Sequence, residues 1–341
     1  MSFRPRLLAA AIAALAIGAT SLSPQAIAAP AASSAAHVDL QQALVGLATK
    51  ARPGLIGIAV VEVNSGKRWS VRGSEPFAMM SSFKAPVAAA VLDLVDQGKL
   101  TLDQEVTLAK SDIQAGSAVP SVGAAVKGGR TRFTVRDLLI GSVTQSDNTA
   151  VNALIKLIGG PAVVSAKLKS AGIEGMRVDM DEVGIEEIFE QLPAGTAPPK
   201  GETDAQEDAR LAKGYAAFLA DPRNRTTPDA AVDFLGKLAS GKLLTPSSTT
   251  LLLKLMRDQV IPNRLRAGLP EGTDFADKTG TSGSYNGHRG AYNDMGIISL
   301  PGGRRVLIAA FLRDSPATDA QRDALFADIG KTIYQALQAA P

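Results

Sequence analysis

The chain has 341 residues and a formal net charge of +3 at pH 7, with two histidines and no cysteine. Because His37 and His288 are the only histidines and cysteine is missing, a Ser-His-Asp triad, a thiol hydrolase and a standard zinc site are all poorly supplied. Aromatic residues make up only 4% of the chain and the basic residues are scattered, which argues against a nucleic-acid surface and leaves serine, lysine and carboxylates for chemistry.

The first 28 residues predict a signal peptide. Arg4 and Arg6 precede an apolar run from Leu7 to Ile17, and Ala26-Ile27-Ala28 fits the small-residue rule for signal-peptidase cleavage. The apolar run is too short to span a bilayer, and there is no cysteine for a lipid anchor. We therefore expect a periplasmic or secreted protein, without a membrane anchor, after Sec-dependent export and cleavage near Ala28.

Both ends of the mature chain predict strands and a terminal helix. Apolar runs separated by glycine-containing turns predict one antiparallel hairpin near each end. A helix precedes the first hairpin, and a capped amphipathic helix follows the second. The elements are Val38–Lys50, Ile56–Val63 with Arg68–Arg72, Asp294–Leu300 with Arg305–Leu312, and Thr318–Leu337.

The middle of the chain predicts helices alone. The segments are Lys84–Gln97, Val135–Ser142, Thr149–Leu157, Ala162–Ala171, Asp204–Leu219, Pro228–Ser240 and Ser247–Arg257, with a Pro- and Gly-rich surface loop at Leu192–Glu202. We therefore predict an α/β (α+β) fold in which an antiparallel sheet is flanked by the terminal helices. The predicted domains are an α/β domain of residues 29–80 and 262–341 and an inserted all-α domain of residues 81–261, with an extended loop around 177–228.

Three short polar motifs follow one another along the chain: Ser81-Ser82-Phe83-Lys84, Ser146-Asp147-Asn148 and Lys278-Thr279-Gly280. An S-x-x-K motif at the start of a helix puts a lysine amine one turn from a serine hydroxyl, so that the amine can accept the proton when the serine attacks a carbonyl. Each motif alone is weak, and Ser146-Asp147-Asn148 in isolation favours a plain helix N-cap. Their ordered occurrence predicts a serine-acyl active site.

With these motifs the chain resembles the class A serine β-lactamases, which are related to the penicillin-binding transpeptidases. Asp277–Gly283 and Asn293–Ile298 are most similar to the PER/VEB-like extended-spectrum branch. The resemblance implies the β-lactamase/transpeptidase-like fold and the hydrolysis of antibiotics. It also implies roles for eight residues: Ser81 as nucleophile, Lys84 as proton acceptor, Ser146 as proton relay, Asn148, Lys278, Thr279 and Gly280 in substrate binding, and Thr281 with Ser81 in the oxyanion hole.

The resemblance further identifies Glu182 as the base that activates water against the acyl-enzyme. Glu182 follows Ser146 by 36 residues, which is the separation that the family uses, and Asn152 matches the position that braces the loop. The alternative is an acidic, solvated face, because Asp179, Asp181 and several glutamates surround Glu182.

The chain departs from the family pattern at several positions. Met180 and Asn224 stand where the family loop carries an arginine and an aspartate in a salt bridge, and the loop is longer. Glu186 replaces an asparagine that helps to hold the hydrolytic water. Met295 occupies the position of a substrate-carboxylate arginine, so Arg264 is expected to bind that carboxylate instead, unless it is a solvated surface residue.

We therefore expect a monomeric, metal-independent β-lactamase that acts on small-molecule β-lactams without a cofactor or a nucleic-acid partner. Two rival functions stay open. A D-alanyl-D-alanine carboxypeptidase or transpeptidase would use the same serine and lysines, although Glu182 argues against it. A non-hydrolysing penicillin-binding protein would be acylated and then stall, because its altered loop could not position water.

Overall fold

The computed structural model of the chain describes residues 39–338. The predicted signal peptide and the start of the predicted helix at Val38 lie outside the described residues. The strands are β1 (Leu55–Glu62), β2 (Arg68–Val71), β3 (Phe77–Ala78), β4 (Glu105–Thr107), β5 (Arg132–Thr134), β6 (Arg225–Thr226), β7 (Asp274–Thr281), β8 (Ser284–Tyr285), β9 (His288–Ser299) and β10 (Arg305–Ser315).

Most of the helices lie between β3 and β7, and one helix lies at each end of the described chain. They are α1 (Leu40–Lys50), α2 (Lys84–Asp96), α3 (Ser121–Lys127), α4 (Val135–Leu139), α5 (Asn148–Leu157), α6 (Pro161–Ser170), α7 (Glu182–Glu190), α8 (Asp204–Ala220), α9 (Pro228–Ala239), α10 (Pro246–Arg257) and α11 (Asp319–Gln338).

The main sheet is antiparallel, with the strand order β2-β1-β10-β9-β7, and β8 pairs with β9. Its strands come from the two ends of the chain, as the sequence predicted. The short strands β3 with β6 and β4 with β5 form two separate pairs, which the sequence did not predict. The predicted fold class is confirmed, whereas the division into an α/β and an all-α domain stays a prediction.

Both faces of the central strands are buried, each against different helices. Ile58 and Val60 belong to a hydrophobic cluster with α11 residues such as Phe326. Ala59, between them in β1, belongs with Ala309 to the larger cluster of the middle helices. Because neighbouring strand residues point to opposite faces of a sheet, the continuous apolar run of β1 supplies two cores at once.

Helix α2 positions the first motif. Every residue from Lys84 to Leu92 is buried, as expected for a helix that is surrounded by other elements. The 3-10 turn Met80–Phe83 leads directly into it. Ser81 therefore lies at the helix entrance, where the core meets the surface.

Three differences from the sequence prediction lie in the middle of the chain. Helix α3 and helix α7 were not predicted, and the predicted helix Val135–Ser142 ends at Leu139 and continues as a π-helical turn, Ile140–Thr144. The predicted helix Asp204–Leu219 is confirmed as α8.

In residues 39–338, no single helix is long and apolar enough to cross a membrane. The helices Asn148–Leu157 and Pro161–Ser170 would be long and apolar enough only as a pair, and the chain bends by 74° between them.

Candidate active site

The first motif forms a serine–lysine pair. The Nζ of Lys84 donates a hydrogen bond to the Oγ of Ser81 at 3.0 Å. The neighbouring hydroxyl of Ser82 donates to the carbonyl of Met79 at 2.7 Å and is fully buried. The preceding Met80 has φ +46°, a left-handed conformation that costs a non-glycine residue about 1 kcal/mol or more. Of the two serines, Ser81 is thus the one paired with the amine.

Lys84 is a shared hydrogen-bond donor at the centre of the site. Besides Ser81, its Nζ donates to the Oδ1 of Asn148 at 2.6 Å and to the carbonyl of Ser146 at 2.9 Å, and lies 3.1 Å from Oε1 of Glu182. Complete burial lowers the pKa of Lys84, although the charge of Glu182 opposes that shift. The lowered pKa brings the amine closer to the neutral form that can accept a proton.

The second motif combines both interpretations that the sequence left open. Asp147 is the N-cap of α5, because its Oδ1 accepts a hydrogen bond from the backbone N–H of Ala150 at 2.8 Å. Ser146 precedes the cap with φ +57°, and its Oγ accepts a hydrogen bond from Lys278 Nζ at 3.1 Å and lies 3.4 Å from Lys84 Nζ. The cap therefore fixes a hydroxyl between two amines.

The side chain of Asn148 lines the same cavity as Ser81 and Glu182. Its Oδ1 accepts from Lys84, and its Nδ2 donates to the carbonyl of Ala115 at 2.7 Å. The backbone N–H of Asn148 donates to the Oγ of Ser117 at 2.8 Å. The side-chain bonds hold the amide in one orientation beside Lys84.

The third motif lies on β7, where Lys278 is fully buried. Burial, followed by the positive charges of Lys84 and Arg264, lowers the pKa of Lys278 to about 7. Two buried carboxyls accompany it. Burial raises the pKa of Asp294 to about 6, and burial together with the charge of Asp294 raises the pKa of Asp277 well above its usual value.

Gly280 allows β7 to approach the nucleophile turn. A Cβ atom at this position would lie 2.4 Å from the carbonyl oxygen of Met79 and 3.0 Å from the backbone nitrogen of Ser82. Only glycine avoids that clash, since the neighbouring atoms belong to the backbone and cannot rotate away. The close approach brings the following residue, Thr281, to the same cavity as Ser81.

Arg264 is buried behind this strand, with 3% of its surface exposed. Its guanidinium donates to the carbonyl of Gly280 at 2.8 Å and to the Oγ1 of Thr281, and stacks 3.7 Å from the ring centroid of Tyr292. The alternative of a solvated surface arginine is therefore wrong. Met295 is also fully buried, so neither side chain is a surface group.

The residue expected to act as base, Glu182, begins α7. Its backbone N–H donates to the Oδ1 of Asn152 at 3.0 Å, and Asp181 caps the helix through the N–H of Gly184 at 3.2 Å. Glu182 has 6% of its surface exposed. The interpretation of Glu182 as part of a solvated acidic face is therefore wrong, and the buried carboxylate instead pairs with Lys84.

Asn224 closes the loop that carries Glu182. Its Oδ1 accepts from the backbone N–H groups of Asp179 at 2.6 Å and Met180 at 3.1 Å, and its Nδ2 donates to the carbonyl of Met180 at 2.9 Å. The backbone N–H of Asn224 donates to the Oδ2 of Asp179 at 3.0 Å. An amide clasp thus closes the loop at the positions where the sequence predicted that a salt bridge would be missing.

Glu186 lies one turn after Glu182 and also lines the cavity. Its Oε2 accepts a hydrogen bond from the Nε2 of Gln114, and its Oε1 accepts from the backbone N–H of Gly195 at 3.2 Å. The carboxylate therefore joins three segments: α7, the segment around Gln114 and the loop that leads to α8.

A cavity of about 650 Å³ connects these groups. Ser81, Ser146, Asn148, Glu182 and Thr279 line it. Sequence reasoning missed several other lining residues, because no motif or spacing marked them: Gln114, Phe189, Leu211, Tyr215, Tyr285 and Arg289. In residues 39–338, no group of three or more histidine, aspartate or glutamate side chains could hold a metal ion.

The site has the groups of a serine hydrolase that works by acyl transfer. They are Ser81 paired with the buried amine of Lys84, the Ser146 hydroxyl between the amines of Lys84 and Lys278, and the buried carboxylate of Glu182. Residues 39–337 match the model of the β-lactamase enzyme family. The chain therefore belongs to the β-lactamase enzyme family. Its reaction is the hydrolysis of β-lactams, the activity that gives resistance to these antibiotics.

Individual relatives agree with this assignment. The extended-spectrum β-lactamase PER-1 of Pseudomonas aeruginosa is 33% identical over 281 residues, which cover 82% of each chain. The β-lactamase VEB-1 of the same organism is 29% identical over 288 residues, covering 84% of this chain and 86% of the relative.

Solved structures show the same fold. An ancestral class A β-lactamase reconstructed for Gram-negative bacteria has a TM-score of 0.72 and 35% identity over 87% of this chain and all of the other. A β-lactamase from Chitinophaga pinensis has a TM-score of 0.73 and 30% identity, over 87% of this chain and 98% of the other. The resemblance to class A β-lactamases is thereby confirmed.

Proposed function

We propose that the chain opens the β-lactam amide of penicillins and cephalosporins through an acyl-enzyme on Ser81, and that Glu182 then drives hydrolysis of the ester. The observation that carries this proposal is the position of one buried amine, Lys84, in contact with both the Ser81 hydroxyl and the Glu182 carboxylate. The nucleophile of the first step and the base of the second step therefore both contact the same amine.

In the acylation step, Lys84 accepts the proton of Ser81 while the serine oxygen attacks the β-lactam carbonyl carbon. The backbone N–H groups of Ser81 and Thr281 would stabilise the developing oxyanion. As the carbon–nitrogen bond breaks, Ser146 delivers a proton to the leaving nitrogen and receives one from Lys84. The contacts of the Ser146 hydroxyl with both lysines support this relay.

Substrate binding would use β7 and the start of α5. Lys278 and Thr279 attract the substrate carboxylate, and Asn148 holds the amide of the acyl substituent. Arg264 acts on the same carboxylate through the hydroxyl of Thr281, to which it donates a hydrogen bond. Gly280 contributes by letting the strand approach the nucleophile.

In the deacylation step, Glu182 removes a proton from the water that attacks the acyl carbon. The bond from the acyl carbon to the Ser81 oxygen then breaks, and a proton passes from Glu182 through Lys84 to that oxygen, which restores the hydroxyl. Asn152 supports this step by fixing the first residue of α7. Glu186 supports it by connecting α7 to the segments on either side of the cavity.

The protein would work as a periplasmic or secreted monomer, because one chain supplies every residue of the proposed site and residues 1–28 have the pattern of a signal peptide.

Steady-state hydrolysis of a chromogenic cephalosporin by the purified protein tests the proposal, together with the intact mass of the protein after mixing with benzylpenicillin. We expect repeated turnover with a transient adduct on Ser81. A stable adduct without turnover would instead identify a non-hydrolysing penicillin-binding protein. Release of D-alanine from a D-alanyl-D-alanine peptide, at a rate above that of β-lactam hydrolysis, would identify a carboxypeptidase.

A further inference from the structure

The cavity continues past the catalytic groups to a second set of side chains. Phe189 from α7, Leu211 and Tyr215 from α8 and Tyr285 from β8 line this end, which we call the aromatic subsite. Leu211 and Tyr215 are four residues apart and so face the same side of their helix. Because a helix rises 1.5 Å per residue, Phe189 lies about 10 Å along α7 from Glu182.

The aromatic subsite presents ring surfaces rather than hydroxyl groups. The hydroxyl of Tyr215 donates to the Oδ1 of Asp314 at 2.9 Å, and the hydroxyl of Tyr285 donates to the Oδ1 of Asp208 at 3.0 Å. Both hydroxyls are therefore already bound to carboxylates. The rings and Leu211 therefore offer apolar area to a ligand, which favours a flat, apolar group.

Helix α8 is fixed firmly enough to form a wall. At its centre, a Cβ atom on Gly214 would lie 1.9 Å from the carbonyl oxygen of Phe189, so the two helices touch through their backbones. Arg210 donates to the carbonyl of Glu190 at 2.7 Å and pairs with Glu202 at 2.8 Å. At the C-terminal end, the ring of Phe218 stacks on Phe189 at 4.3 Å between ring centroids.

The position of this wall indicates which part of a substrate would reach it. The carboxylate of a bound β-lactam would lie at Lys278 and Thr279, and its acyl substituent at Asn148, next to α7. A substituent that continues along α7, past Glu186, arrives at Phe189 and then at Leu211 and Tyr215. A β-lactam without a long substituent would end before the aromatic subsite.

We propose that α8 determines substrate specificity, and that Leu211 and Tyr215 bind the aromatic end of bulky acyl substituents on the β-lactam. This inference rests on the proposed function. It names the substrate class as β-lactams whose acyl group carries a large ring system. Asp314 is a positioning residue, because it holds the ring of Tyr215 in the wall through the hydroxyl.

Two penicillins with the same nucleus test this proposal: 6-aminopenicillanic acid, which has no acyl group, and nafcillin, which has a substituted naphthoyl group. The variants are Leu211→Trp, which fills the subsite, and Leu211→Ala, which removes its apolar contact. The matched control is Lys213→Ala on the exposed face of the same helix. The measurement is kcat/KM for each substrate, with thermal unfolding to establish that each variant is folded.

We expect Leu211→Trp to lower kcat/KM for nafcillin by about tenfold or more, and Leu211→Ala by about fivefold, while 6-aminopenicillanic acid changes by less than about twofold. Tyr215→Phe keeps the ring but loses the bond to Asp314, so a smaller loss for nafcillin alone is expected. Lys213→Ala should change neither substrate.

Equal changes for both substrates, or none for nafcillin, would overturn the specificity role. If the tryptophan variant fails to fold, Leu211→Ala decides by the same comparison. Failure of the subsite proposal can be distinguished from failure of the proposed function. If the subsite alone is wrong, wild-type protein still forms the Ser81 adduct and hydrolyses both penicillins. If the proposed function is wrong, the wild-type protein turns over neither penicillin, whether or not an adduct forms on Ser81.

Discussion

The two sides of the active site are held together by different kinds of contact. On the nucleophile side, the side chains of Ser81, Lys84, Ser146 and Lys278 bond to one another in a cluster whose two amines are fully buried. On the loop side, the backbone around Glu182 is held by the side-chain amides of Asn152 and Asn224. The first arrangement fixes the chemical groups directly, whereas the second fixes the path of the chain that carries one group.

This difference predicts separate failures. Damage on the nucleophile side should stop acylation, because the reacting atoms themselves are lost. Damage on the loop side should leave acylation intact and slow deacylation, because the base or its water is misplaced. Each of the following variants tests one side of the comparison.

The largest effect is expected from Ser81→Ala, which removes the attacking oxygen. Turnover should fall by at least about 10⁴-fold, and no benzylpenicillin adduct should appear in the intact mass. Ser82→Ala is the matched control, because its hydroxyl bonds to Met79 and not to Lys84. An adduct on the Ser81→Ala protein would refute the assignment of the nucleophile.

The next effect is expected from Glu182→Gln, which keeps the shape of the side chain but removes the basic oxygen. Acylation should continue while deacylation slows by about 10²- to 10⁴-fold, so the acyl-enzyme accumulates. Rapid-quench mass spectrometry measures both steps. Glu187→Gln, an exposed residue of the same helix, should behave as wild type. Wild-type turnover by the Glu182 variant, with stalling of Glu186→Gln or Glu190→Gln, would mean that another glutamate is the base.

A smaller effect is expected from Asn224→Gly, which removes the amide clasp. Glycine tolerates the φ of +48° at this position, so the change isolates the loss of the side-chain bonds. Leaving the N–H groups of Asp179 and Met180 without this partner should cost about 1–3 kcal/mol of stability. Deacylation should slow more than acylation.

Asn286→Gly provides the control for that variant. Asn286 has φ +45° and lies exposed in the turn between β8 and β9. Because it shares the backbone conformation without the clasp, its replacement should leave both rates and the melting temperature unchanged. Equal slowing of acylation and deacylation by Asn224→Gly would contradict the separation between the two sides.

The smallest effect concerns the pH profile of substrate capture. With the pKa of Lys278 lowered to about 7, its ammonium loses a proton as pH rises through that value. The attraction for the substrate carboxylate then weakens, so kcat/KM should fall on the alkaline side. In Lys278→Arg the guanidinium stays charged, and the alkaline limb should move to higher pH. An unchanged limb in the arginine variant would mean that another group controls capture.

Local spacing was enough to predict the serine–lysine pair. Ser81 and Lys84 are three residues apart at a helix start, and such neighbours meet in any helical turn. The continuous apolar run of β1 likewise predicted a buried strand, because each residue faces a core. The acidic composition of α7 concealed its helix, since four glutamates and Gly184 interrupt the apolar pattern of Val183, Ile185, Ile188 and Phe189.

Contacts between distant residues could not be predicted in the same way. Tyr215 and Asp314 are 99 residues apart, and Gln114 and Glu186 are 72 apart. No periodicity relates such pairs, because their meeting depends on how several helices and strands pack. The missed part of the cavity therefore consists of residues that packing brings together from α7, α8, β8, β9 and the segment around Gln114.

The sequence alone determined the order of the catalytic motifs, the antiparallel sheet from the chain ends and the family. The motif order and the sheet follow from short-range spacing and from patterns of apolar residues, and the family follows from the resemblance of the motifs. The unfolded chain already contains all of these. Only the tertiary structure decided that Arg264 braces β7 from behind, that Asn224 closes the loop and that α8 forms a wall of the cavity. Each of these depends on burial and on distances between segments, and those quantities exist only once the chain has packed.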